Sequence, residues 1–65
     1  MIKTVIRLRS NMVMVFNSHG EQIPAYQGQY EDVRAKIIRA APTGTMFNHW
    51  FGNNPEPETV TKEIW

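Results

Sequence analysis

The side chains able to do chemistry in this 65-residue sequence are few and scattered. Nucleophilic or acid–base catalysis needs a hydroxyl, thiol or carboxyl group beside a base, with a third group to orient the pair. The candidates are His19 and His49 as bases, Ser10 and Ser18 as hydroxyls, and Asp32 as the sole aspartate. No pair of them has motif spacing, and neither a glycine-rich phosphate loop nor a nucleophile elbow is present. The histidines and dispersed carboxylates form no four-ligand metal pattern, and His19 beside Gly20 reads as an exposed turn residue. The absence of cysteine removes disulfides and thiolate zinc sites together. The chain is therefore expected to be non-enzymatic and to need no cofactor or metal.

Binding chemistry is better represented. Arg7 and Arg9 alternate with apolar residues in the first run of the chain, and Met12, Met14 and Phe16 follow closely. Arginine, methionine and aromatic side chains are the types enriched where proteins meet proteins. The same mixture, with aromatics to stack bases and cations to neutralise phosphates, is used by sheets that bind single-stranded nucleic acid. A formal net charge of +1 argues against strong attraction to polyanions or membranes.

The element that must position these residues is the stretch Ile2 to Asn17, which reads as a β-hairpin. β-branched residues are frequent in it, and Ser10-Asn11 interrupts the two runs as a turn signal. A two-residue loop at Ser10-Asn11 sets Arg9 against Met12, Leu8 against Val13, Arg7 against Met14 and Ile6 against Val15. In that register Ile2, Ile6, Leu8, Val13 and Val15, with Thr4, make the core face. Val5, Met12, Met14 and Phe16 then share the outer face with Lys3, Arg7 and Arg9.

The rest of the chain covers the hairpin. Asn17 to Glu21 has turn composition, and Pro24 makes Gln22 to Gln27 irregular, with Ile23 and Tyr26 placed to pack over the core edge. Tyr30, Val33, Ile37 and Ala41 fall on one stripe of a helix, with Ile38 on its flank, and Asp32, Ala35, Lys36 and Arg39 lie opposite. Gly28 is the expected N-cap, Asp32 and Lys36 form an i,i+4 pair, and Pro42 with Gly44 stops the helix. Thr45 to Phe51 reads as a third strand, its faces being Met46, Asn48, Trp50 and Phe47, His49, Phe51. A polar loop at Asn53 to Pro57 leads to a short edge strand within Thr59 to Trp65. Trp65 is expected to pack against the sheet or a partner, since an exposed indole is costly.

Residues 1–65 thus form a single α+β domain of ββαβ(β) order: a small antiparallel sheet with one amphipathic helix on one face. A chain of this size buries only about 60% of its unfolded surface, and oligomerisation is a common remedy. The expected function is a small protein-interaction or accessory module that self-associates through the outer sheet face or an edge strand. Arg7, Arg9, Met14, Phe16 and Trp50 are the expected contact residues. The partner is a second copy or another protein, and single-stranded nucleic-acid binding by the same face is the alternative. No apolar run spans a bilayer and no export signal opens the chain, so it reads as a cytoplasmic protein without a membrane partner.

Overall fold

The computed structural model describes residues 1–52 and 54–65; Asn53, the first residue of the polar loop, lies outside the described residues. The elements are strands β1 (Ile2–Leu8) and β2 (Met12–Asn17), a 3-10 turn at Pro24–Tyr26, and strand β3 (Gly28–Gln29). Helix α1 (Tyr30–Ala40) and strands β4 (Met46–Trp50) and β5 (Glu58–Val60) complete them. The fold is α+β, with α1 packed on one face of a five-stranded sheet of order β3-β2-β1-β4-β5.

The hairpin forms, but its loop holds three residues, Arg9, Ser10 and Asn11. Asn11 adopts φ 72°, and its N–H donates to the Leu8 carbonyl at 2.9 Å, the geometry of a turn closed by a left-handed residue. Val5 therefore pairs with Val15, Ile6 with Met14 and Arg7 with Val13, one residue away from the expected register. Because side chains alternate, a one-residue slip exchanges the faces of one strand relative to the other. Val5 and Arg7 lie on the helix side with Val13 and Val15, whereas Thr4, Ile6 and Leu8 join Met12, Met14 and Phe16 on the opposite side. A β-bulge between Ile2 and Thr4 turns Ile2 back to the helix side, so Ile2 is core as expected.

Asn11 also explains where the helix begins. Its carbonyl accepts from Tyr30 N–H at 2.8 Å, and its side-chain amide donates to Glu31 at 2.7 Å while accepting from Arg7 Nε at 2.9 Å. The N-cap is Gln29 rather than Gly28, with no side-chain capping bond, since the hairpin tip supplies an acceptor. Gly28 instead pairs with Val13 at φ 143°, and a Cβ there would meet Val33 Cγ1 at 3.3 Å. The position needs a residue without a side chain.

Val33 and Ile37 are buried, and Asp32, Ala35, Lys36 and Arg39 are exposed, as the 3.6-residue period requires. Lys36 Nζ lies 5.8 Å from the centroid of the Tyr26 ring. Beginning at the hairpin tip, α1 runs back to the end of the sheet where β1 starts, so β4 enters beside Ile2 and Thr4. It pairs parallel to β1, with Val5 opposite Phe47 and Arg7 opposite His49. The sheet is consequently mixed rather than wholly antiparallel. β4 places Phe47 on the helix side and Met46, Asn48 and Trp50 on the other.

The core cluster is Ile2, Val5, Val13, Val15, Val33, Ile37, Phe47 and Trp65, with Ile23, Tyr26 and Tyr30 packed against it. β5 is shorter than expected and ends at Val60. Beyond it Thr61–Ile64 turns, with Ile64 and Trp65 N–H groups both donating to the Thr61 carbonyl, and this delivers Trp65 to the helix side. The indole, 1% exposed, packs edge-on to Tyr30 at 5.1 Å and tilted to Phe47 at 5.3 Å.

Candidate functional site: the open sheet face

One face of the sheet is sealed by α1 and Trp65, and no described element lies over the other. Strand alternation puts Thr4, Ile6 and Leu8 of β1, Met12, Met14 and Phe16 of β2, Met46, Asn48 and Trp50 of β4, and Thr59 of β5 on this open face. None of these strand residues carries a charge. Met12, Met46 and Trp50 are 38%, 45% and 36% exposed, and Leu8, Met14 and Phe16 are half-buried. Such a row of thioethers, aliphatics and aromatics is adaptable apolar surface.

Asn48 is the polar exception at the centre. It is buried, its amide donates towards the Val5 and Met46 carbonyls at 3.4 and 3.3 Å, and its oxygen accepts from the Thr59 hydroxyl at 3.0 Å. All of its hydrogen bonding is spent within the sheet, so the face presents little polarity there.

The five expected contact residues divide. Met14, Phe16 and Trp50 share the open face. Arg7 does not: its guanidinium lies 3.6 Å from the Tyr30 ring centroid and donates to the Trp65 main-chain oxygen at 3.1 Å, on the helix side. The one-residue register change put it there. Arg9 is exposed in the hairpin loop, where it borders a shallow groove with Leu8, Ser10, Trp50 and Phe51 at the edge of the open face. The expected basic–aromatic surface is thus split.

Sequence reasoning placed Ile6 and Leu8 on the core side; both lie on the open side instead, where Ile6 is nonetheless buried, 8% exposed, and Leu8 is half-buried. Met46 and Asn48 were legible as partners of Trp50 on one strand face, but alternation alone did not say which way that face points. His49 stacks on Phe51 at 4.6 Å, and its Nε2 lies 3.5 Å from the Trp65 main-chain oxygen. His19 is exposed in the turn, where the Asn17 side chain accepts from its N–H at 2.8 Å. No group of three metal-ligating side chains occurs among the described residues.

No family model, curated protein or solved structure matches the chain. The function must therefore be argued from the open face itself. No described helix is long and apolar enough to cross a membrane.

Proposed function

We propose that the protein works without chemistry of its own, as a small module whose open sheet face docks on the same face of a second copy. The observation that carries this reading is the contrast between a helix-covered face and an uncharged, methionine- and aromatic-rich face that no described strand or helix covers, the Asn54 carbonyl accepting from Trp50 Nε1 at its edge. Edge pairing is less suited, because β3 has two residues and β5 three, and short edges blunt strand addition. A net charge of +1 opposes self-association only weakly. The cysteine-free composition suits a reducing compartment such as the cytoplasm.

Five strands at ~4.8 Å and at most five residues at ~3.3 Å span no more than about 24 by 17 Å, or roughly 400 Å² per copy, with β3 and β5 falling short of that length. Two copies then bury on the order of 800 Å², the size class of weak, transient interfaces.

Light scattering across a concentration range tests this reading: mass should rise towards a dimer and be insensitive to salt, because the contact is apolar. Met14→Glu should leave a monomer at every concentration, since a buried unpaired carboxylate costs ~3–5 kcal/mol. A strict monomer in the unmodified protein would refute the reading. Nucleic-acid binding, the alternative, calls for cations among the stacking aromatics, whereas Arg7 is engaged on the other face. Oligonucleotide binding at low salt that weakens steeply as salt is added would favour that alternative.

A further inference from the structure

The sulfur of this protein is distributed unevenly. The sequence has four methionines and no cysteine, so thioethers are its only oxidisable sulfur. The core cluster contains none of them, being built from aliphatic and aromatic side chains alone. Met12, Met14 and Met46 all lie on the open face, and the fourth, Met1, is 89% exposed. A chain with these residues in its core would lose its fold on oxidation. This one keeps its thioethers out of the core and three of the four on the open face, where oxidation can change docking and spare folding.

We propose that Met14 and Met46 are oxidation sites through which peroxides control self-association of the open face; the proposal rests on the docking reading above. The chemistry is a two-electron oxygen transfer. A sulfur lone pair attacks one peroxide oxygen, the S–O bond forms as the O–O bond breaks, and the peroxide leaves as water or an alcohol, with the proton balance unchanged. The product sulfoxide is polar and accepts hydrogen bonds. Pressed against an uncharged, largely apolar face, it meets few donors, and a polar group left unpaired opposes burial.

The three positions are not equivalent. Met12 sulfur already accepts from Gln29 Nε2 at 2.9 Å, so a sulfoxide there keeps a donor at hand. Met14 sits opposite Ile6 beside the centre of the sheet, and Met46 opposite Thr4. Among the described residues no side-chain amide donates to either sulfur, so these two carry the effect. Oxidation attacks the free monomer of a weak dimer and holds it there by mass action. The same linkage makes the rate of oxidation fall as protein concentration rises.

The experiment uses the intact protein and hydrogen peroxide. The reduced protein's dimer is first measured by light scattering. Oxidation is then followed residue by residue by mass spectrometry, at about 16 Da per sulfoxide, alongside light scattering and thermal melting. Oxidation of Met14 and Met46 should weaken the dimer at least ~tenfold, with secondary structure and cooperative melting retained. Treatment with both stereospecific methionine sulfoxide reductases should restore it. Whatever dimer Met14→Leu with Met46→Leu forms should be the same before and after peroxide. A dimer that persists with both residues oxidised, or a fold that melts as they oxidise, overturns this proposal alone. A reduced protein that is monomeric throughout overturns the docking reading and this inference with it.

Discussion

The two faces of the sheet are built from neighbouring residues of the same strands, yet they answer to different demands. Towards the helix, Val5, Val13, Val15, Val33 and Ile37 interlock, and Trp65 closes the end of the core between Tyr30 and Phe47. Towards solvent, the equally apolar Leu8, Met14, Phe16, Met46 and Trp50 stay partly exposed. Hydrophobic composition alone does not distinguish the faces. What does is the covering and the sulfur: α1 and Trp65 seal one face, and the flexible thioethers of Met12, Met14 and Met46 lie on the other, where a surface must adapt.

The two tryptophans give the sharpest way to break this comparison. Trp65 is 1% exposed and Trp50 is 36% exposed. Trp65→Ala should cost ~3–5 kcal/mol, a large share of a small domain's stability, because it empties a core position. Trp50→Ala should cost no more than about 1 kcal/mol, and its main effect should be on association. Urea denaturation read by circular dichroism measures both. Equal losses for the two variants would erase the distinction between the faces. The indole N–H of Trp65 is buried with no acceptor among the described residues, so part of the packing gain at that site is already offset.

The next effect in size belongs to the hairpin tip. Asn11→Ala should cost ~2 kcal/mol, since alanine resists φ 72° and the bonds to Arg7 and Glu31 are lost. Asn11→Gly should recover the conformational share, leaving a loss of about 1 kcal/mol. If both variants melt like the parent, the tip does not anchor the helix. Arg7→Ala should cost ~1–2 kcal/mol through its stacking on Tyr30 and its bond to Trp65. Arg9→Ala, in the exposed loop, should stay within ~0.5 kcal/mol. The same denaturation series separates the two arginines.

These positions also show what the sequence could and could not reveal. The helix was legible because Val33 and Ile37 recur at 3.6-residue spacing against a polar opposite side. The hairpin was legible as an element, and Trp65 as a packed residue. The hairpin register was not, for a physical reason: both faces of β1 and β2 are rich in apolar residues, so a slip by one position violates no pattern. Ser10-Asn11 suits a two-residue turn as well as the observed three-residue one, and the choice is settled by contacts from Asn11 to Tyr30 and Glu31, twenty residues along the chain. The location of Arg7 followed from that register. With it went the expected union of Arg7, Met14 and Phe16 on one surface. The parallel pairing of β4 likewise depends on where the helix begins, and no local pattern in Met46–Trp50 encodes it.

Another small expected effect on stability tests how specific the open face is. Asn48 is a buried polar residue in an otherwise apolar sheet centre, bonded to Thr59 and to main-chain carbonyls. Replacing it with leucine removes a polar group that is already satisfied, and the exposed Thr59 hydroxyl can turn to water. Asn48→Leu should therefore change folding stability by less than about 1 kcal/mol. Association should respond differently. An apolar sheet centre buries more favourably, but a single polar residue at such a place restricts which registers two copies can adopt. The variant should associate more tightly and form species larger than a dimer, read as a mass that keeps rising with concentration in light scattering. A tighter complex that remains strictly dimeric would mean that shape alone, through Met14, Phe16 and Trp50, sets the stoichiometry.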